Sequence, residues 1–270
     1  MLIAQVTDPH VSLPGTILFG GYDPARALTA VLTRLARLDP RPDLVFLTGD
    51  LTENGRPEEY AHFLRLLDGF DLPMAAIPGN HDRRDAFAAA FRDSPVLIGG
   101  DPAPGLQLGL DLPPALILGL DTLGLEGDPA GALPEERLAW LARRLEAAEG
   151  RPALVFMHHP PILTGIAAMD IWRLADPAPL EALLRRHPNV LRVACGHVHR
   201  AVEAGFAGTI CGVCPSVAWA VPLFEPAIRA PVVRQCPAFQ LHALTPSGLV
   251  THTEFLRDFD DRLPRAPRSD

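Results

Sequence analysis

The chain has 270 residues, 48% of them hydrophobic and 21% charged, with a formal net charge of -8. That length and apolar content suffice for one large domain with a full core, or one domain with a small appendage, and exclude disorder over most of the chain. The acidic balance argues against a duplex nucleic-acid binder, which needs a Lys/Arg face to displace counterions from phosphates.

Residues Leu2 to Thr7 read as a buried strand. Met1 to Asp8 holds no basic region and too short an apolar stretch for a signal peptide. Asp23 as N-cap and Pro24 at the first helical position open a helix whose Ala27, Leu28, Val31, Leu32 and Leu35 share one face. Strand signals follow at Leu44 to Thr48 and Met74 to Ile77, with helices from about Pro57 to Leu67 and Asp85 to Phe91. Gly99 to Pro114, rich in Gly, Pro and Asp, reads as a loop. Beyond it come a strand at Leu116 to Leu120, a helix at Pro134 to Ala147, a strand at Ala153 to Met157, a helix at Pro179 to Arg186 and a strand at Leu191 to Ala194. Pro-rich Pro215 to Pro237 breaks this rhythm, as a cap over a site or a surface loop. Strand-like Phe239 to Leu244 and Val250 to Phe255 follow it, and Arg257 to Asp270 reads as a charged, mobile tail. No apolar run approaches the ~20 residues of a membrane helix, so a cytoplasmic protein that spans no membrane is expected. The four cysteines, Cys195, Cys211, Cys214 and Cys236, all lie in the C-terminal third. They do not resemble a secreted disulfide framework, and Cys211 and Cys214 have zinc-clip spacing without a second pair, so they read as buried thiols.

Polar residues with metal-ligand side chains stand just after these strands: Asp8-Pro9-His10, Gly49-Asp50, Gly79-Asn80-His81-Asp82, His158-His159 and Gly196-His197-Val198-His199. An open α/β sheet delivers the C-terminal ends of its strands to one edge, where sites collect. These blocks can therefore pool their ligands. A lone Asp in such a place more often caps a turn, and a lone His is more often a satisfied interior residue. The conjunction of all the blocks in this order has no such explanation. Asp121, in Leu120-Asp121-Thr122, belongs to no block and reads as structural, as do His62, His187, His242 and His252. Asp82 either orients a neighbour or caps the helix that starts at Arg83, and the cap is the preferred reading.

The order and content of the blocks resemble the calcineurin-like metallophosphoesterases. Asp50-Leu51-Thr52-Glu53-Asn54-Gly55, Pro57-Glu58-Glu59-Tyr60 and His158-His159-Pro160-Pro161 narrow the resemblance to the class III cyclic nucleotide phosphodiesterase and glycerophosphodiesterase branch. It runs from residue 1 to about His199. It implies an α/β fold, a four-layer αββα sandwich with a small C-terminal cap. Residues 1–200 would form the catalytic core, 201–256 a cap and oligomerisation segment completing the sandwich, and 257–270 a tail. It also implies two divalent ions bridged by Asp50. Asp8, His10 and His199 would complete the coordination of the first ion, and Asn80, His158 and His197 that of the second. Mixed carboxylate, amide and imidazole ligands suit Mn, Fe, Co or Zn.

The implied function is hydrolysis of small phosphodiesters, cyclic nucleotides or glycerophosphodiesters, by attack of a metal-bound hydroxide, with Asp50 and His81 the catalytic side chains. Two dications against two aspartates and a hydroxide leave a positive centre that attracts a diester anion. His81 would bind the phosphate or protonate the leaving alkoxide. Asn54 and His159 would line the pocket or support ligands. Homo-oligomerisation is implied by resemblance alone. A phosphomonoesterase, a single-strand nuclease or nucleotidase, and a non-enzymatic scaffold are the alternatives; the intact ligand set disfavours the scaffold. Phe239 reads as core, whereas Trp219 and Phe224 either stack on a base or fill a core.

Overall fold

The computed structural model describes residues 1–19, 21–99, 103–224, 232–257 and 259. Its elements in chain order are β1 (Leu2–Val6), α1 (Pro24–Ala36), β2 (Leu44–Thr48), α2 (Pro57–Leu66), β3 (Met74–Ile77), α3 (Arg84–Phe91), β4 (Val96–Leu97), β5 (Leu108–Leu112) and β6 (Ala115–Leu120). Then follow α4 (Glu135–Ala147), β7 (Ala153–Met157), α5 (Ala167–Asp170), α6 (Ala178–Leu184), β8 (Val190–Cys195), β9 (Val202–Phe206), β10 (Thr209–Val213), β11 (Ala238–Thr245) and β12 (Gly248–Phe255). Two six-stranded sheets result, in the orders β12-β11-β1-β2-β3-β4 and β5-β6-β7-β8-β10-β9.

Period-two alternation within each strand splits the apolar residues between two layers. In β2, Leu44 and Phe46 face the other sheet, while Val45 and Leu47 face the helices. In β7, Leu154 and Phe156 turn to the inter-sheet core, and Ala153, Val155 and Met157 to the opposite layer. Phe46 and Phe156 meet across the middle, stacked with ring centroids 4.3 Å apart and planes 10° from parallel. Three apolar layers are thus closed: α1, α2 and α3 over the first sheet, the two sheets over each other, and α4 and α6 over the second. This is the expected four-layer α/β sandwich. Asp23 caps α1 as its sequence requires, its side chain accepting from the Arg26 backbone N–H at 3.0 Å.

The reading of Gly99 to Pro114 as loop is corrected within its described residues, because β5 lies there and pairs antiparallel with β6. Leu108, Leu110 and Leu112 alternate with Gly109 and Asp111, a five-residue period-two pattern that the surrounding Gly and Pro obscure. The hairpin of β9 and β10 also carries no strand signal strong enough to read in advance. It turns at Ala207-Gly208, both at positive φ (54° and 88°), and β10 adds parallel to β8. The C-terminal hairpin β11-β12 joins the other sheet beside β1. Of Pro215 to Pro237, residues 225–231 fall outside the described residues, as do 258 and 260–270 of the tail. No helix among the described residues is long and apolar enough to cross a membrane.

Candidate metal centre

Strands β1, β2 and β3 are mutually parallel, as are β6, β7 and β8, so their C-terminal ends share an edge of each sheet. The loops leaving them are tied by backbone bonds: Asp8 N–H to Gly49 O at 3.1 Å, His10 N–H to Asp50 O at 3.0 Å, and Gly196 N–H to His158 O at 3.1 Å. Asp8, His10, Asp50, His197 and His199 all sit in the left-handed region, with φ between 48° and 73°. Such backbone costs ~1–3 kcal/mol per non-glycine residue and persists where surrounding structure holds a functional geometry in place. Gly49, at φ +91°, is a glycine for a second reason also. A Cβ there would lie 2.5 Å from His158 Nδ1.

The predicted ligands come together as two groups around one carboxylate. Asp8, His10, Asp50 and His199 each offer an atom within 4.8 Å of the others. In the second group Asn80 Oδ1 lies 2.8 Å from His197 Nδ1 and 3.1 Å from His158 Nε2. Asp50 faces both, with Oδ2 3.7 Å from His10 Nε2 and Oδ1 3.4 Å from His158 Nε2.

Hydrogen bonds determine which ring nitrogen of each histidine is left for a cation. His158 Nδ1 donates to Thr48 O at 2.8 Å, and His199 Nδ1 to Trp219 O at 3.0 Å. His10 Nδ1 donates to the Glu53 carboxylate at 2.9 Å. Each of these rings therefore keeps its Nε2 lone pair for the centre. His10 Nε2 and His199 Nε2 stand 3.1 Å apart. Two lone pairs that close repel unless a cation or a proton lies between them. The residues present thus fit a pair of metal ions, on the chemistry of the donor set and on this opposed pair of imidazoles.

The electrostatics agree. Burial pushes the Asp50 carboxyl up, but the neighbouring His158 and His81 outweigh it and hold it well below the carboxylate range. Burial lowers His158, yet Asp50 beside it draws it up to about 9, so a positive charge is strongly favoured at that position. Burial keeps His10 below its ordinary value.

His81 is half-buried, its backbone N–H donating to Asp50 Oδ1 at 2.8 Å and its Nδ1 to Glu53 O at 2.7 Å. It opens on a cleft of about 560 Å³ lined also by Asn54, Asn80, Arg83, Arg84 and the 123–128 loop. A larger groove of about 960 Å³, between α1 and β12, contains none of the predicted site residues.

Asp82 does not cap α3, contrary to expectation. Arg83 holds the N-cap position without a side-chain cap. The buried Asp82 carboxylate instead accepts from Gly79 N–H at 3.0 Å, Leu51 N–H at 3.1 Å and Tyr60 OH at 2.7 Å, joining the Asp50 and Asn80 loops. Those interior donors outcompete a helix end that water can solvate. Asn54 donates to Glu59 Oε1 at 2.7 Å. His159 is buried with its ring against His158 and His197. Asp121 lies outside both groups and anchors Arg84 and Arg137.

Glu53 as a participant escaped the sequence reading, and so did the part that Trp219 plays. Glu53 holds His10 by its carboxylate and His81 by its carbonyl; its place three residues after Asp50 was the available signal. Trp219 is buried with its ring 4.6 Å from that of His10, and it supports His199 through a backbone carbonyl, which no side-chain identity announces. Phe239 is core, as expected, and Phe224 is exposed.

The sequence model of the family described as calcineurin-like phosphoesterase matches residues 1–201. The chain is 35% identical over 268 residues to the probable glycerophosphodiester phosphodiesterase GpdQ of Arcobacter nitrofigilis, covering 98% of this chain and 96% of that protein. It is 31% identical to the 3',5'-cyclic adenosine monophosphate phosphodiesterase CpdA of Escherichia coli, covering 76% and 72%. In fold it is similar to a dimetal phosphatase from Danio rerio, with a TM-score of 0.67 at 15% identity over 94% of this chain and 98% of that one. By its motifs, its two-sheet architecture and these matches, the chain belongs to the calcineurin-like phosphoesterase family.

Proposed function

We propose that the protein is a dinuclear metal-dependent phosphodiesterase acting on small diesters of the glycerophosphodiester or cyclic nucleotide class. The observation that carries this reading is Asp50, whose two oxygens face separate ligand groups at 3.7 and 3.4 Å. A carboxylate so placed would serve both ions. Asp8, His10 and His199 would hold the first ion with it, and Asn80, His158 and His197 the second. Bound there, the ions supply Lewis acidity toward phosphoryl oxygens and lower the pKa of water from ~15.7 toward ~7.

The chain's own residues do the rest. Asp50 and Asp8 balance part of the charge, leaving a centre that attracts an anionic diester. His81 has its Nδ1 committed to Glu53 O, so Nε2 is the atom that delivers a proton to the leaving alkoxide. Burial lowers its basicity, but Asp50 and the Glu53 contacts outweigh this and raise it. The cleft beside His81, with Asn54, Arg83 and Arg84 on its walls, receives the leaving group. Manganese, iron, cobalt or zinc suits the mixed donor set. The net charge of -8 supports small substrates over duplex nucleic acid, in a cytoplasmic protein. Residues 1–200 form the catalytic core in this reading, and 201–256 close the site from the Trp219 side and carry self-association.

Manganese-reconstituted protein should hydrolyse bis(p-nitrophenyl) phosphate faster than p-nitrophenyl phosphate. Activity should disappear on chelation and in Asn80→Ala and Asp50→Ala. Metal-replete wild type inactive on cyclic AMP, glycerophosphodiesters and chromogenic diesters alike would overturn the proposal.

A further inference from the structure

The cleft beside His81 is lined from two directions. On one side are Glu53, Asn54 and the segment Asn80 to Asp85; on the other is the loop Leu123 to Asp128. That loop has little packing of its own. Leu125, Glu126, Gly127 and Asp128 are all exposed, and only Leu123 at its root is buried. An exposed loop with few contacts takes its position from the residues that anchor it.

The anchor is the wholly buried Asp121. Its carboxylate accepts from Arg84 Nε at 2.8 Å and Nη2 at 3.0 Å, from Leu106 N–H at 3.1 Å and from Leu123 N–H at 3.0 Å. Arg84 Nη2 and Arg137 Nη1 each also donate to Leu123 O at 3.0 Å. Leu123 is thus held through both its N–H and its carbonyl. Arg84 is the first residue of α3 and stands three residues after His81, on the opposite side of the cleft. A guanidinium that grips a carboxylate through two nitrogens fixes distance and orientation together. A buried aspartate stripped of its partner is costly, so other placements of the loop root are disfavoured. The pair ties the segment that carries His81 to the root of the loop facing it.

We propose that Arg84 and Asp121 are positioning residues that set the width of the leaving-group cleft, and with it the choice among leaving groups. The inference rests on the phosphodiesterase reading given above. Neither residue belongs to the two ligand groups, so the pair acts on what the cleft receives rather than on the phosphate at the metal centre. Its loss should weaken substrates that carry a leaving group and spare inorganic phosphate, which has none. A general packing defect would affect both.

The test compares manganese-reconstituted full-length wild type, Asp121→Asn, Arg84→Lys and the double variant. It measures steady-state kinetics on bis(p-nitrophenyl) phosphate, competitive inhibition by inorganic phosphate, and amide hydrogen exchange of the metal-free proteins. Asp121→Asn should raise KM ~10-fold, the worth of one charge-assisted hydrogen bond expressed as lost binding, and leave the phosphate Ki within about twofold of wild type. Arg84→Lys keeps the charge but loses the fork and should act in the same direction. The double variant should be little worse than the worse single one, because the two residues work as one unit. Exchange at the Leu123 amide should quicken in Asp121→Asn, while β6 and β7 keep their protection. If Asp121→Asn fails to fold, the half-buried Arg84 still allows the comparison of KM with phosphate Ki. A wild-type KM in Arg84→Lys, or a phosphate Ki that worsens as much as KM, would overturn the inference. Metal-replete wild type without diester hydrolysis would overturn the proposed function instead.

Discussion

Replacing Asp82 by Ala tests whether this buried carboxylate ties together the loops that carry Asp50 and Asn80. The substitution leaves Gly79 N–H, Leu51 N–H and Tyr60 OH without their acceptor, donors now bonded at 3.0, 3.1 and 2.7 Å. At ~2 kcal/mol per orphaned buried donor the loss is ~6 kcal/mol. A gain opposes it. Burial, and Asp50 nearby, push the Asp82 carboxyl from 3.8 up to about 6. At 1.36 kcal/mol per pKa unit, keeping it ionised at neutral pH costs ~3 kcal/mol, which Asp82→Ala relieves. The donors win, and the net destabilisation should be ~3 kcal/mol by urea denaturation at pH 7.5. Asp82→Asn keeps one acceptor oxygen and should lose about half as much. Because the freed donors lie on both ligand loops, manganese affinity should fall in Asp82→Ala as well. A variant within ~0.5 kcal/mol of wild type, the range of an ordinary surface substitution, would refute the reasoning.

Phe156→Ala should cost ~3–5 kcal/mol by urea denaturation, since it deletes the ring stacked on Phe46 between the two sheets; a loss of no more than ~1 kcal/mol would show that the inter-sheet core does not depend on that pair. His242 gives a pH dependence. Burial, reinforced by the charge of Arg192, pushes it down to about 3. It stays neutral in the fold, donating from Nε2 to Gln5 Oε1 and accepting at Nδ1 from Thr251. The unfolded chain gains its proton near pH 6.5, the folded protein only near 3, so stability is full above 6.5 and falls as the pH drops through this window. Between pH 7.5 and 5.0 the His242 contribution is ~2 kcal/mol. Wild type should lose that much more than His242→Gln over the same interval; equal losses would remove His242 as the cause.

The candidate ligands are readable in the sequence for a local reason. Each residue stands directly after an apolar strand, and a parallel sheet sends successive strand ends to one edge, so chain order alone predicts convergence. The helices were readable because their apolar stripes repeat at helical spacing, with Asp23 and Pro24 marking the start of α1. Elements without a strong local period were harder to read. β5 hides its alternation among Gly and Pro, and β9-β10 depends on the neighbouring β8 edge for its pairing. Asp82 reads locally as a helix cap, and the Gly79 N–H together with donors from two distant segments, at Leu51 and Tyr60, displaces it.

What the amino-acid order determined by itself was the chemistry on offer: which side chains can bind metal, in which blocks, on which side of the sheet. Only the tertiary structure decided how each is used. The carbonyls of Thr48 and Trp219 and the carboxylate of Glu53 choose the ring nitrogen that His158, His199 and His10 present, and the approach of two loops gives Asp50 its two faces. A backbone carbonyl carries no residue identity, and a hydrogen bond between segments 20 to 110 residues apart leaves no periodicity to read.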